Sequence, residues 1–266
     1  MLTTTSHRML RTGTGTALAT LALLALPAVA QGQDTAELPP ASELVDRYVE
    51  AMGGRDAILR DAPTQATGTF EIPTQGLTGE LVVVTAPPDR MVSKVTIGGM
   101  GEILSGYTGE TAWALDPMSG ARLMSGMELA ALRDQADQRA AVRDPALIES
   151  METVERTEMG GEPCYHVALV WVSGRETTDC YSVETGLLVA TTATQASPMG
   201  DVEVTTLMED YEEFAGVRIP TRVVQNMMGV QQIMRIDTMV VGDEVDTSLL
   251  EPPAPIQTLM ESGSGG

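Results

Sequence analysis

The chain has 266 residues, of which 37 are Asp or Glu and 16 are Lys or Arg, giving a formal net charge of −21. A surface this acidic repels nucleic-acid phosphates and anionic lipid headgroups, so no nucleic-acid partner is expected and any membrane contact is transient at most. Aromatic residues make up only 3%, and Lys94 is the only lysine.

Residues 1–30 read as a secretory signal peptide. Arg8 and Arg11 supply a positive start, residues 17–26 are small or apolar without charge, and Pro27 ends the run. Ala28-Val29-Ala30 offers a small-x-small cleavage pattern. The apolar run is too short to cross about 30 Å of hydrocarbon, which takes roughly twenty residues. No cysteine follows it, so no lipid anchor is expected. The expected product is soluble and periplasmic or otherwise extracytoplasmic, and more acidic still once both arginines are lost. Residues 31–41 read as a polar linker that ends at Pro39-Pro40.

From residue 42 one domain is expected, ending at residue 254. Ser42 reads as a helix cap, and Leu44, Val45, Tyr48, Val49 and Met52 recur on one helical stripe. Gly53-Gly54 stops that helix, and residues 55–59 add one more turn. The period then changes to two. Strands are expected at residues 67–72, 78–85, 90–97, 102–107 and 110–115, with Pro87-Pro88-Asp89 and Gly98-Gly99-Met100-Gly101 turning the chain. A helical insert follows. Ser125 and Glu128 fit a capping box, and Leu129, Leu132, Ala136 and Ala140 give a narrow apolar stripe opposite Arg133, Asp134, Asp137 and Arg139.

Strands resume at 152–158, 164–171, 176–182, 187–194, 202–210, 218–225 and 231–240. Their short connections make neighbours antiparallel. Pro220 suits an edge or strand-start position. Residues 255–266 read as a disordered tail. The fold class is mainly β, in the α+β sense: a large antiparallel sheet that must curl to bury its apolar face.

Chemistry is sparse in this sequence. His166 is the only histidine after the signal peptide and reads as structural or exposed. No nucleophile elbow, zinc-protease motif or phosphate loop is present, so neither catalysis nor a cofactor is expected. Glu209, Asp210, Glu212 and Glu213 read as a solvated strand end. Cys164 and Cys180 flank a hairpin at Ser173-Gly174 with imperfect register; a disulfide and two unpaired core cysteines both fit. Two cysteines alone do not make a metal site, so none is expected. Met100, Met199, Met227 and Met228 sit beside glycine at turns. They read either as plugs folded into the core or as a soft apolar rim around a mouth.

Several short segments, in order along the chain, resemble a group of bacterial exported proteins that are outer-membrane lipoprotein-sorting-like. These are relatives of the periplasmic lipoprotein carrier LolA and its receptor LolB. The segments are Tyr48 to Gly54, Gly106 to Gly109 with Trp113 to Pro117, Pro163-Cys164-Tyr165, Tyr181 to Leu188, Ser197 to Gly200 and Gln225 to Gly229. The resemblance implies an unclosed β-barrel whose open side is covered by helices. It also implies binding of an acyl chain, lipid or lipoprotein in the concavity, and some relatives are envelope-stress sensors. The carrier's positioned arginine has no match here, so the resemblance supports a lipid or lipoprotein carrier more than lipoprotein transfer specifically.

The expected function is therefore a non-enzymatic carrier. Alternation puts Val83, Met91, Val95, Ile97, Trp113, Met234 and Ile236 on the concave face, with Met127, Leu129 and Leu132 on the covering helix. A slip of one residue would reverse any strand. The alternative is a module for an envelope protein partner, with these same positions filling a solid core.

Overall fold

Alternating apolar and polar residues dominate the chain after Thr64, and they form strands. The computed structural model describes residues 37–197 and 200–263. The expected signal peptide, most of the linker and the turn with Met199 lie outside the described residues. The strands are β1 (Thr64–Ile72), β2 (Leu77–Ala86), β3 (Arg90–Ile97), β4 (Gly101–Tyr107), β5 (Ala112–Asp116), β6 (Gly120–Leu123), β7 (Ile148–Met159), β8 (Glu162–Trp171), β9 (Glu176–Ser182), β10 (Leu188–Ser197), β11 (Gly200–Phe214), β12 (Val217–Met227) and β13 (Val230–Val241). The helices are α1 (Ala41–Met52), α2 (Arg55–Ile58), α3 (Gly126–Ala136), α4 (Gln138–Ala141) and α5 (Ala254–Gly263).

All 13 strands belong to one sheet, in the order β6-β5-β4-β3-β2-β1-β13-β12-β11-β10-β9-β8-β7. The chain thus draws two meanders, and the antiparallel pair β1–β13 joins them. β6 and β7 stand at opposite edges, and α3 and α4 carry the chain from one edge to the other. α3 touches β4 and β5 near the first edge and also β10 on the far arm. A helix of 11 residues is only about 16 Å long at 1.5 Å per residue. It reaches both arms because the sheet curls around it. The result is an unclosed barrel with α1 and α3 on its inner face.

The inner face is apolar where α1 lies. Leu44, Val45 and Tyr48 pack against Val167, Leu169, Trp171 and Tyr181. Each such aliphatic side chain contributes about 1.5–3 kcal/mol on burial. The outer face has its own cover. Val84, Val92 and Trp113 lie under Val245, Leu250 and Ile256 from the C-terminal segment. From Glu37 onward the described chain is one unit.

Four local expectations change. Residues 255–266 are not a disordered tail as far as they are described: α5 continues to Gly263 and buries Ile256 completely. α1 begins at Ala41 after Pro40, without a side-chain cap from Ser42. Ser125 occupies the cap position of α3 but makes no cap hydrogen bond. Glu128 instead accepts two hydrogen bonds from Arg122, both at 2.9 Å, because a forked guanidinium competes better than a single amide. Finally, Asp134 is not on a wet face. It is 7% exposed and accepts from Ser173 Oγ at 2.6 Å and Arg175 Nη1 at 3.0 Å, which ties α3 to the β8–β9 turn.

Cys164 and Cys180 form a disulfide with a Cα–Cα distance of 5.5 Å. The ladder pairs Cys164 with Ser182 and His166 with Cys180, so the bond runs diagonally across β8 and β9. A connection longer than Ser173-Gly174, residues 172–175, supplies that offset. Pro220 sits inside β12 rather than at its start, opposite Tyr211 and outside the β12–β13 ladder, which begins at Arg222. One side of the strand is therefore free of a partner there, as proline requires. Glu209, Asp210, Glu212 and Glu213 lie within β11, and Glu209 pairs with Arg222.

Candidate functional site

A cavity of about 330 Å³ lies on the inner face. Three groups of elements build it. Met52, Ala57 and Ile58 come from α1 and α2; Ala136, Gln138 and Ala141 from α3 and α4. Thr64, Thr85, Phe214, Val217, Ile219, Met239 and Val241 come from the sheet, and Pro87 and Pro88 from the β2–β3 turn.

Backbone contacts hold these walls in place. Gly53 ends α1 at a φ of 118°, and a Cβ there would meet the Gly216 carbonyl oxygen at 2.2 Å. Only glycine allows the helix end to approach the β11–β12 turn so closely. Arg60 Nη2 donates to the Ala215 carbonyl at 2.8 Å, fixing the segment after α2 to that same turn. The Gln138 amide donates to the Pro88 carbonyl at 3.4 Å, fixing α4 to the β2–β3 turn.

The lining contains no Asp or Glu, in a chain that has 37 of them. Its two threonines satisfy each other, with Thr64 Oγ1 and Thr85 Oγ1 2.8 Å apart. Arg60, an exposed residue, is the only charged lining group. The wall therefore suits an aliphatic ligand, with one cation where a polar head would emerge.

Next to the cavity lies a buried polar knot. Arg143 pairs with Asp179, which also accepts from Tyr181 Oη at 2.9 Å and Thr191 Oγ1 at 2.9 Å. Burial opposes the charge of Arg143, but Asp179, with Tyr181 and Tyr48, outweighs it and holds the guanidinium pKa above its ordinary value. Burial pushes the phenols of Tyr48, Tyr181 and Tyr211 up as well, although Arg143 opposes this. Arg143, Asp179, Tyr181 and Thr191 all find partners inside the protein, and together they clamp the α3–β7 connection to β9.

The residues expected to line the site divide. Val83, Met91, Val95, Ile97, Met234 and Ile236 do share the inner face, as the registers Gly68↔Leu81, Gly68↔Ile236 and Leu81↔Val95 require. They do not line the cavity. Val95 and Ile97 are buried with Leu81, and Phe70, Val83, Met234 and Ile236 pack against them, filling the far end of the barrel. Met91 and Tyr107 pack under α3, where Leu129 meets them. Met127 and Leu132 border a smaller hollow of about 200 Å³ between α3 and β10.

Trp113 is the correction. It pairs with Gly106, one residue out of step with Tyr107 and Ala112, and so it faces outward. Its indole lies over Gly106, where a Cβ would meet the ring at 2.5 Å. Alternation alone misplaces β5 by one position because its inner residues, Ala112 and Ala114, are too small to mark that face.

The methionine turns also differ from a rim around the site. Met100 and Met228 are exposed, and Met227 is half-buried. Their turns close the ends of β3 and β12, whereas the cavity lies at the Thr85 and Val217 ends of the sheet. Signals for the real lining were present in Phe214, Val217, Ile219, Met239 and Val241, but nothing in sequence shows that two distant strand ends converge.

His166 Nδ1 lies 3.3 Å from Glu155 Oε1. A His166 ring nitrogen and the Cys164 and Cys180 sulfurs lie within 4.8 Å of one another. The sulfurs are joined, so no thiolate is available to hold a metal.

No protein-family model matches the sequence, and the comparison with characterised proteins finds no match. Solved structures do match. A DUF1329 family protein from Desulfovibrio piger superimposes with a TM-score of 0.54 at 12% identity, covering 82% of this chain and 100% of that one. A LolA superfamily protein from Nitrosomonas europaea gives 0.51 at 11% identity, over 81% and 99% of the two chains. The fold is LolA-like. A domain assigned to outer membrane lipoprotein sorting, from Vibrio parahaemolyticus, gives 0.50 at 8% identity, over 79% and 95%. At such identities the likeness is one of architecture. In the LolA-like frame of this chain, the helix-covered concavity holds the cavity described above. Among the described residues no helix is long and apolar enough to cross a membrane.

Proposed function

We propose that this protein is an extracytoplasmic, non-enzymatic binder of acyl chains, carrying a lipid or the acyl part of a lipoprotein in the inner cavity. One observation carries the reading: a cavity of about 330 Å³ without one acidic group in its lining. That volume is at the lower end of the roughly 300–1,000 Å³ of small-molecule sites, so it fits one chain rather than several. Burial of about ten methylenes at roughly 0.8 kcal/mol each gives about 8 kcal/mol before the costs of association. Reversible carriage follows from that balance. Arg60, beside the Ala215 carbonyl, is placed to meet a carboxylate or phosphate head.

Titration with a fluorescent fatty-acid analogue tests this. Saturable binding is expected, reversed by unlabelled fatty acid. Ile219→Phe, which fills the cavity with carbon, is expected to weaken binding by about tenfold or more, equal to about 1.4 kcal/mol, with the melting temperature little changed. Binding that does not saturate contradicts the reading.

A second reading has support from the other end of the barrel. Leu81, Val95 and Ile97 are packed solid there, as a protein-interaction module with a filled interior would be. A chain that takes up no lipid but captures an envelope protein favours that alternative.

A further inference from the structure

The strand registers sort the connections of the sheet into two ends. At one end lie the turns at residues 73–76, 98–100, 117–119, 172–175 and 228–229, as the pairs Ile72↔Leu77, Ile97↔Gly101, Asp116↔Gly120, Val170↔Glu176 and Met227↔Val230 show. At the other end lie residues 87–89, 108–111, 160–161, 183–187, 215–216 and 242–246.

Charge divides the same way. None of the five described turns at the first end contains Asp or Glu. At the second end Asp89, Glu110, Glu184, Asp243, Glu244 and Asp246 all sit within the connections.

Exposed apolar side chains divide oppositely. Met118 is 88% exposed, Val172 65%, Met228 61% and Met100 42%, and all four are in first-end turns. Among the described residues the second-end connections named above hold no large exposed apolar side chain, and Leu123 and Met127, 38% and 41% exposed, flank the β6–α3 connection at that end. Exposing methionine at a turn gains nothing in water, where polar residues serve better. The pattern asks for a partner that these tips enter.

We propose that the end of the barrel carrying these tips docks on a lipid surface of low charge, with Met100, Met118, Val172 and Met228 dipping into the headgroup boundary and Asp116, which accepts from Met118 N and Ser119 N, held back at the base of its turn. The tips belong to separate hairpins spread along the sheet's arc, between the β6–β5 edge and β8–β9. A protein partner needs a continuous, complementary patch of roughly 800 Å², whereas a fluid surface accepts several separate prongs. Methionine is unbranched and adapts to such a boundary. Gly99, Gly101, Gly120, Gly174 and Gly229 keep the backbone slim around the tips. The charge of −21 resists adsorption to anionic membranes, and the acidic end, with the cavity there, lies opposite the tips. The ten residues of β2 put about 30 Å between the two ends, at roughly 3.3 Å per residue. Docking and cavity binding are therefore separable.

Flotation of the full chain with phosphatidylcholine vesicles tests the proposal. Wild type is expected to float with the vesicles, and to float several-fold less when phosphatidylglycerol replaces a third of the lipid. The triple variant Met100→Glu/Met118→Glu/Met228→Glu, altered only at exposed positions, is expected to lose at least about tenfold in partitioning. It should keep its circular dichroism and its uptake of fluorescent fatty acid. Wild type that stays at the bottom of the gradient overturns the proposal and turns the tips into candidates for a protein contact. Equal flotation of the triple variant overturns it too. Wild type that floats with the vesicles but takes up no fatty acid speaks only against the cavity.

Discussion

Arg143 and Asp179 form an ion pair inside the protein: Arg143 Nε donates to Asp179 Oδ2 at 2.8 Å, and Nη2 lies 2.7 Å from the same oxygen. The side chains are 10% and 1% exposed. The guanidinium also lies over the rings of Tyr48 and Trp171, 5.7 and 5.8 Å from their centroids. This is where the chain returning from α4 is fastened to β9 and to α1.

Removing one partner leaves a buried charge alone, which costs about 3–5 kcal/mol. Arg143→Ala should therefore lower the unfolding free energy by about that amount in urea titrations. Arg143→Leu combined with Asp179→Leu should recover part of the loss but not all, because Tyr181 and Thr191 lose their acceptor. A single substitution costing under about 1 kcal/mol would place the pair in the class of surface ion pairs and contradict its role as a clamp.

The phenols around that pair set an alkaline limit. Tyr48, Tyr181 and Tyr211 have folded-state pKa values raised by burial above the unfolded value of about 10. Their contribution is complete below pH about 10 and is lost as pH climbs from there toward the folded-state values. The unfolded chain releases phenolic protons that the folded chain keeps. Stability should fall above pH about 10, by up to about 1.4 kcal/mol per pH unit per phenol, and tyrosinate absorbance should rise together with unfolding. Titration of these phenols with the fold intact contradicts this.

Gly68 stands at the seam between the two meanders. A Cβ there would meet the Arg235 carbonyl oxygen at 1.8 Å, beside the register shift between Thr67 and Gly68. Backbone cannot move aside as a side-chain tip can. Gly68→Ala should cost about 3 kcal/mol or more by denaturant titration. Gly76→Ala places its Cβ in open space and pays only for its left-handed φ of 63°, about 1 kcal/mol.

The disulfide closes a sequence separation of 16 residues. Cys164→Ser with Cys180→Ser should lower stability by about 3 kcal/mol, the value for a loop of that size, without abolishing the sheet. The two strands are already paired by their ladder.

Much of this architecture was legible in sequence because strands report themselves locally. Val230, Met234 and Ile236 alternate plainly, and β13 lies where they put it, but the register shift at Thr67/Gly68 turns Val240, which simple alternation keeps in step with them, to the outer face. What was not legible depends on long-range geometry. β6 is four residues long, too short for a period to show. α5 follows a pair of prolines and ends in glycine and serine, yet Ile256, Leu259 and Met260 at helical spacing were its signal. The cavity combines α2 with the far ends of β1, β2, β12 and β13, a meeting that exists only once the sheet has curled. Trp113 shows how narrow the margin is: a single step in register moves the largest apolar side chain of β5 from the inner face to the outer one.

The inner cavity is proposed to hold an acyl chain. Native mass spectrometry of the exported protein, purified without detergent or denaturant, tests it most directly. A reproducible adduct of fatty-acid or lipid mass is expected on wild type and on Met100→Glu, and is expected to be absent from a variant carrying both Ile219→Phe and Met239→Phe. A bare protein mass, unchanged after incubation with fatty acid or lipopeptide, would contradict it.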